Sequence, residues 1–307
     1  MIEKSNAVET SRGRDLREGG HWSLGQRWKN HVIYALARVV LWSCLPLPRP
    51  WLRALGQCLG ALAWIVLPAT RRLAIGNVAR VFPDASGLAR RSFVRLGGEL
   101  GNVVATLLRK PGKLPALAQD AQQILETARA EGHGVLFVSA HLGAWEDVAA
   151  TLVAAGIPLT ALARESYDPR FTRLYHQLRD SRGVAAIYRG HRGAPMAILR
   201  VLKRREVLGI PMDLTGRVPS LAVPFLGIPG LTPLGPARIA LRTRASVVVG
   251  TVDSSGQVVT ATRIATSDLQ PGDEAVLLGR INDELSARIR AFPEGWPWMH
   301  ARWDGCA

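Results

Sequence analysis

From Gly134 onward the chain alternates short apolar runs with amphipathic stretches: VLFVSA, a helical pattern from about Trp145, LTALAR, a helix opened by Asp168 and Pro169, VAAIYR, a helix from about Ala194, then VLGIPMD. Five or six apolar residues suit a strand better than a helix, and the stretches between them are long enough for the helical crossovers that parallel strands require. The alternation predicts an α/β fold, a mostly parallel sheet flanked by helices. The pattern continues with AVPFLG, a helix within GPARIALRTR, strands SVVVGTV and VVTATRI, and a final helix from about Asp273 to Arg290. Ahead of it, Arg71 to about Ala130 reads as mostly helical, because LARRSFVRLGGELGNVVATLLR places apolar residues three and four apart.

The N-terminal part obeys a different rule. Residues 1–30 are polar and poor in aliphatic side chains, which predicts a mobile tail. After Glu18 no acidic residue occurs until Asp84, whereas Arg27, Lys29, Arg38, Arg49, Arg53, Arg71, Arg72 and Arg80 all fall in that gap. Within it lie the apolar runs HVIYALARVVLWSCLPLP and ALGQCLGALAWIVLP. As a helix the first reaches roughly 24 Å against a hydrocarbon core of about 30 Å, and it carries Arg38. A tilted or shallowly inserted membrane anchor over residues 31–68 is therefore expected, with Trp22, Trp28, Trp42 and Trp51 at the interface. The competing reading is a buried helical hairpin. Basic flanks without acids favour the anchor.

Lys plus Arg number 39 against 24 Asp plus Glu, a formal charge of +15, so an anionic partner is expected. Four Tyr and six Phe, not interleaved with basic residues, argue against a nucleic-acid surface. The hydrophobic fraction of 48% excludes disorder throughout, and the 21% of charged residues excludes a polytopic transporter. Three cysteines outside any CxxC spacing support neither a disulfide framework nor a metal site, and a reducing compartment fits.

Ligands of open α/β sheets collect beyond the carboxyl ends of the strands. His141, Arg164, Arg189 and Asp213 stand at four such ends, and the crossovers should bring them to one pocket, with neither Arg164 nor Asp213 on the surface. His141 opens HLGAWED, in which Gly143 lets the chain turn and Glu146 falls in the first turn of the next helix. A carboxylate on one ring nitrogen fixes the tautomer and leaves the other nitrogen to take a proton from a hydroxyl. Glu146 is preferred to Asp147, which would point about 100° further round the helix. No G-x-S-x-G elbow, P-loop, G-x-G-x-x-G or H-E-x-x-H is present, so acyl transfer without a covalent enzyme intermediate is the chemistry favoured. Arg189, Arg192 and Arg49 or Arg53 are candidates for holding phosphates, and backbone N–H groups after His141 are candidates for an oxyanion site.

HLGAWE resembles the histidine, four residues, acid motif of the lysophospholipid-acyltransferase-like superfamily, and in particular of the bacterial lipid A late acyltransferases. RRLAIGNVARVFPD is similar to that family's R-x-x-A-x-x-N-x-x-x-x-F-P segment, and Arg164 with DPRFTRLYHQLRDSRG to its second block. Asp213 followed by VPFLGIPGLTPLGPARIALRT resembles a third, and FPEGWPWMHARW the closing P-E-Q-W-x-W-x-H-x-R-W. The likeness runs from about Arg71 to Trp303. It implies an acyltransferase domain over 69–307 at the cytoplasmic face of the inner membrane, and a lipid A precursor or another glycolipid such as a phosphatidylinositol mannoside as acceptor. It also implies an acyl-carrier-protein or acyl-CoA thioester as co-substrate with no further cofactor, a catalytic His141 with Glu146, and Arg164 and Asp213 near the substrate. The sequence departs from the family at Ala144 and Gly295, where Asn and Gln are usual, and at Leu214, where Gln is frequent. A membrane hydrolase on the same scaffold and a non-enzymatic basic membrane or nucleic-acid-binding protein are the competing classes.

Overall fold

The computed structural model describes residues 20–110, 112–216 and 218–304, so the first nineteen residues of the expected tail lie outside it. The last part of that tail is helical. Ser23 and Gln26 form a reciprocal capping box, each side chain bonding the other's backbone, and this starts helix α1 at Leu24 rather than at His31. Helix α1 (Leu24–Ser43) is followed by α2 (Arg49–Val66), α3 (Pro68–Ala79) and α4 (Ala85–Leu107). Asp84 caps α4 by accepting from the Gly87 N–H at 3.1 Å.

Helix α2 has two faces. Leu52, Gly56 and Gly60 are buried, whereas Trp51, Leu55, Leu59, Leu62, Ile65 and Val66 are exposed. The buried face meets Gly97 and Gly101 of α4 so closely that a Cβ on Gly56 would stand 2.1 Å from the Gly97 carbonyl oxygen. Small residues at a spacing of four let the two backbones touch. Helix α1 buries only Asn30 and exposes Trp28, Val32, Leu36, Val39, Val40 and Trp42. Among the described residues no single helix is long and apolar enough to cross a membrane; α2 and α3 reach that threshold only together, bent by 95°.

The main sheet comprises β1 (Ala116–Leu117), β2 (Val135–Ser139), β3 (Leu159–Arg164), β4 (Ala185–Arg189), β5 (Val207–Pro211), β8 (Ser246–Val252) and β9 (Val258–Ile264) in the order β1-β9-β8-β2-β5-β3-β4. All neighbouring pairs are parallel except β8 and β9, whose short connection leaves no room for a crossover. Helices α5 (Gln119–Ala130), α6 (Trp145–Ala154), α7 (Pro169–Asp180), α8 (Ala194–Lys203), α9 (Gly235–Thr243) and α10 (Glu274–Ala291) complete the domain. The AVPFLG run does not join this sheet. It lies in β6 (Ser220–Phe225), paired antiparallel with β7 (Ile228–Pro233) across Leu226 and Gly227, both at positive φ. A two-residue turn of that hand sends the chain straight back into a hairpin.

The C-terminal WPWMHARW segment is part of the core. Trp296 and Trp298 have no exposed surface, and Arg302, equally buried, donates to the Leu231 carbonyl and the Thr232 hydroxyl while stacking on Phe225. Asn77 of α3 reaches the same segment, its amide donating to the Trp298 and His300 carbonyls at 2.9 and 2.8 Å. The first and last blocks of the chain therefore close over the sheet together.

Candidate active site

Strands β2 and β5 are neighbours in parallel register, Ser139 opposite Pro211. Two residues beyond those partners stand His141 and Asp213, so the register alone brings them face to face. Asp213 Oδ1 lies 2.9 Å from His141 Nδ1, and its Oδ2 accepts from the His141 backbone N–H at 3.0 Å and from the Trp296 indole N–H at 2.8 Å. The carboxylate is completely buried, whereas 29% of the His141 side chain is accessible. Burial disfavours the charged imidazole, but the Asp213 charge and hydrogen bond, helped by the Glu146 charge, outweigh it and hold His141 above the usual imidazole range. Burial likewise opposes ionisation of Asp213, and the His141 charge with the hydrogen bonds from His141 and Trp296 keeps its pKa below the ordinary carboxylate value.

Glu146 and Asp147 begin α6 after a turn at Gly143, whose φ is +56° and where a Cβ would strike Phe292 and Val252. They diverge as the helical geometry requires. Glu146 lines the same cavity as His141 and accepts from Arg179 Nη2 of α7 at 3.1 Å. Asp147 faces α4 and pairs with Arg182, which donates on to Thr106. The ring partner of His141 is thus Asp213, and Glu146 is held by Arg179 instead of folding back onto Nδ1.

The cavity has a volume of about 500 Å³ and is bounded by Trp145, Arg164, Tyr175, Arg189, Leu214 and His300 among others. Arg164 and Arg189 are register partners at the ends of β3 and β4. Arg164 is exposed at the rim, against the expectation that it avoids the surface, because the last residue of a strand near the sheet edge has only the loop beyond it as cover. Arg192 is exposed as well, and Arg49 bonds the Thr106 hydroxyl and the Lys110 carbonyl. Sequence reasoning missed Trp296 and His300, which reach the site from the C-terminal segment. Their signal was the W-x-W-x-H spacing, read only as a block of likeness.

Helix α1 sits beside this edge of the sheet. Trp22 stacks on Tyr167, Tyr34 meets Phe171 edge-on, and Arg170 lies 4.6 Å over the Tyr34 ring, all just after β3.

The family model for bacterial lipid A biosynthesis acyltransferases matches residues 25–304. The chain belongs to this family. Among curated proteins it is similar to the phosphatidylinositol mannoside acyltransferase of Mycobacterium tuberculosis, in strains CDC 1551 / Oshkosh and ATCC 25618 / H37Rv, at 26% identity over 183 residues in each. The match covers 58% of this chain and 57% of each relative's length.

Proposed function

We propose that this chain moves a fatty acyl group from a thioester carrier to a hydroxyl of a phosphate-bearing glycolipid, with His141 as the general base. The observation that carries the reading is the Asp213 carboxylate on His141 Nδ1, which fixes the proton there and leaves Nε2 to the cavity. Nε2 takes the acceptor's hydroxyl proton as that oxygen attacks the thioester carbonyl. The tetrahedral intermediate then expels the thiolate, which recovers the proton from the imidazolium. Asp213 orients the ring and stabilises the imidazolium. Glu146 adds a second negative charge to the cavity wall and positions Arg179.

Arg164 and Arg189, adjacent at the cavity, suit a phosphate on the acceptor, a feature shared by lipid A precursors and phosphatidylinositol mannosides. The family favours the first acceptor and the relatives' name the second. Either an acyl-carrier protein or acyl-CoA serves as donor.

The exposed apolar sides of α1 and α2, in a stretch whose only charges are positive, support a monotopic seat on an anionic bilayer at the cytoplasmic face of the inner membrane. With α1 packed beside the cavity edge, a lipid acceptor would enter without leaving the membrane surface. Lipid mass spectrometry of a strain lacking the gene tests the function. One glycolipid should be lighter by one acyl chain, and an unchanged glycolipid profile would refute the reading.

A further inference from the structure

The cavity contains a second imidazole, that of His300. Its Nδ1 is buried and makes no hydrogen bond. A buried N–H without an acceptor is the more costly way to leave that atom, so the ring proton belongs on Nε2. Burial lowers the pKa of His300, more than the Asp213 charge raises it, so the ring stays neutral beside His141.

The backbone at His300 is fixed from several sides. Its carbonyl accepts from Asn77 at 2.8 Å and from the Arg302 N–H at 2.8 Å, and its own N–H donates to the Pro297 carbonyl at 3.1 Å. The backbone donors expected for an oxyanion are meanwhile partly spent. The Gly143 N–H donates to the Gly295 carbonyl, that of Trp145 to Gly143, and that of Asp147 to Ala144.

We propose that His300 is a catalytic residue whose Nε2–H donates to the carbonyl oxygen of the thioester as it becomes an oxyanion. This rests on the acyl-transfer reading above. The step consumes nothing: the carbonyl π pair moves to oxygen as the acceptor oxygen bonds to carbon, and returns when the C–S bond breaks. His300 keeps its proton throughout, while His141 carries the transferred one. A neutral imidazole suits this task, because it is a donor that does not compete as an acid.

The test uses the purified full chain, glycolipid extracted from a strain lacking the gene as acceptor, and lauroyl, myristoyl and palmitoyl thioesters of both CoA and acyl-carrier protein as donors. His300→Phe keeps a ring without the donor and should lower kcat by about 10²–10³-fold with KM within about threefold. His300→Gln retains an N–H and should recover at least about tenfold over His300→Phe, with both variants melting near the wild type. Turnover of His300→Phe within about threefold of wild type, equal losses in both variants, or a loss carried by KM would overturn the proposal. His141→Ala is assayed beside them: if it retains turnover, the acyl-transfer reading has failed, whereas its loss with an active His300→Phe refutes this inference alone.

Discussion

Replacing Asp213 with asparagine isolates the interaction on which the site depends. The buried carboxylate accepts on Oδ2 from the His141 N–H and the Trp296 indole, and on Oδ1 from His141 Nδ1. An asparagine keeps its two Oδ2-type bonds only by placing its oxygen there, which turns its NH₂ toward Nδ1. Nδ1 must then act as acceptor and the ring proton moves to Nε2, the atom that has to take the acceptor's proton. The base is lost through the tautomer rather than the fold. General base catalysis contributes about 10²–10⁴-fold, and each decade corresponds to about 1.36 kcal/mol of barrier, so a rise of roughly 3–5 kcal/mol is expected. Glu146→Gln leaves the tautomer untouched and removes only a more distant charge and the ion pair with Arg179, so its loss should be smaller. Initial rates at saturating donor, with melting temperatures as the control, decide between them. An Asp213→Asn enzyme within about tenfold of wild type, alongside an inactive Glu146→Gln, would show that Glu146 orients the working histidine and that the reasoning from register was mistaken.

Other outcomes follow from the same geometry. Because His141 is held above the usual imidazole value of about 6.5 and must be neutral to act, kcat/KM should rise with pH through a midpoint above that value, and the limb should move to lower pH in Asp213→Asn if residual activity permits a profile. Paired substitutions on the exposed apolar faces, Leu36→Glu with Leu59→Glu, should abolish flotation with anionic liposomes while leaving the melting temperature near wild type; undiminished flotation would remove these faces from the membrane account. Gly56→Val should instead unfold or severely destabilise the protein in thermal melts, since its side chain would meet the α4 backbone, and an unchanged melt would contradict that packing.

What was legible in the sequence was local. Apolar run length and cap residues located β2 to β5 and the helices between them, and strand ends located His141, Arg164, Arg189 and Asp213. Spacing along the chain suggested Glu146 as the partner of His141, since five residues is the only separation a short motif can display. The ring's neighbour is 72 positions away, and only the adjacency of β2 and β5 in the sheet order reveals it. Trp296 and His300 were hidden for the same reason, because the C-terminal segment returns to the site through packing with Asn77 and not through any strand. From sequence, the two apolar runs fit either a membrane anchor or a buried hairpin. Helix α2 carries features of each: Gly56 and Gly60 pack against α4 while Leu55, Leu59 and Leu62 face outward.

The central claim is direct acyl transfer with His141 as base, and labelled thioester tests it most directly. Purified full-length protein would be mixed with a radiolabelled acyl donor and glycolipid from the deletion strain, and label would be followed in lipid and in protein during one turnover. The account predicts label passing into the glycolipid with none covalently held on the protein, and a fall of at least about 10²-fold in that transfer for folded His141→Ala. Label trapped on the wild-type chain, or transfer by His141→Ala near the wild-type rate, would contradict it.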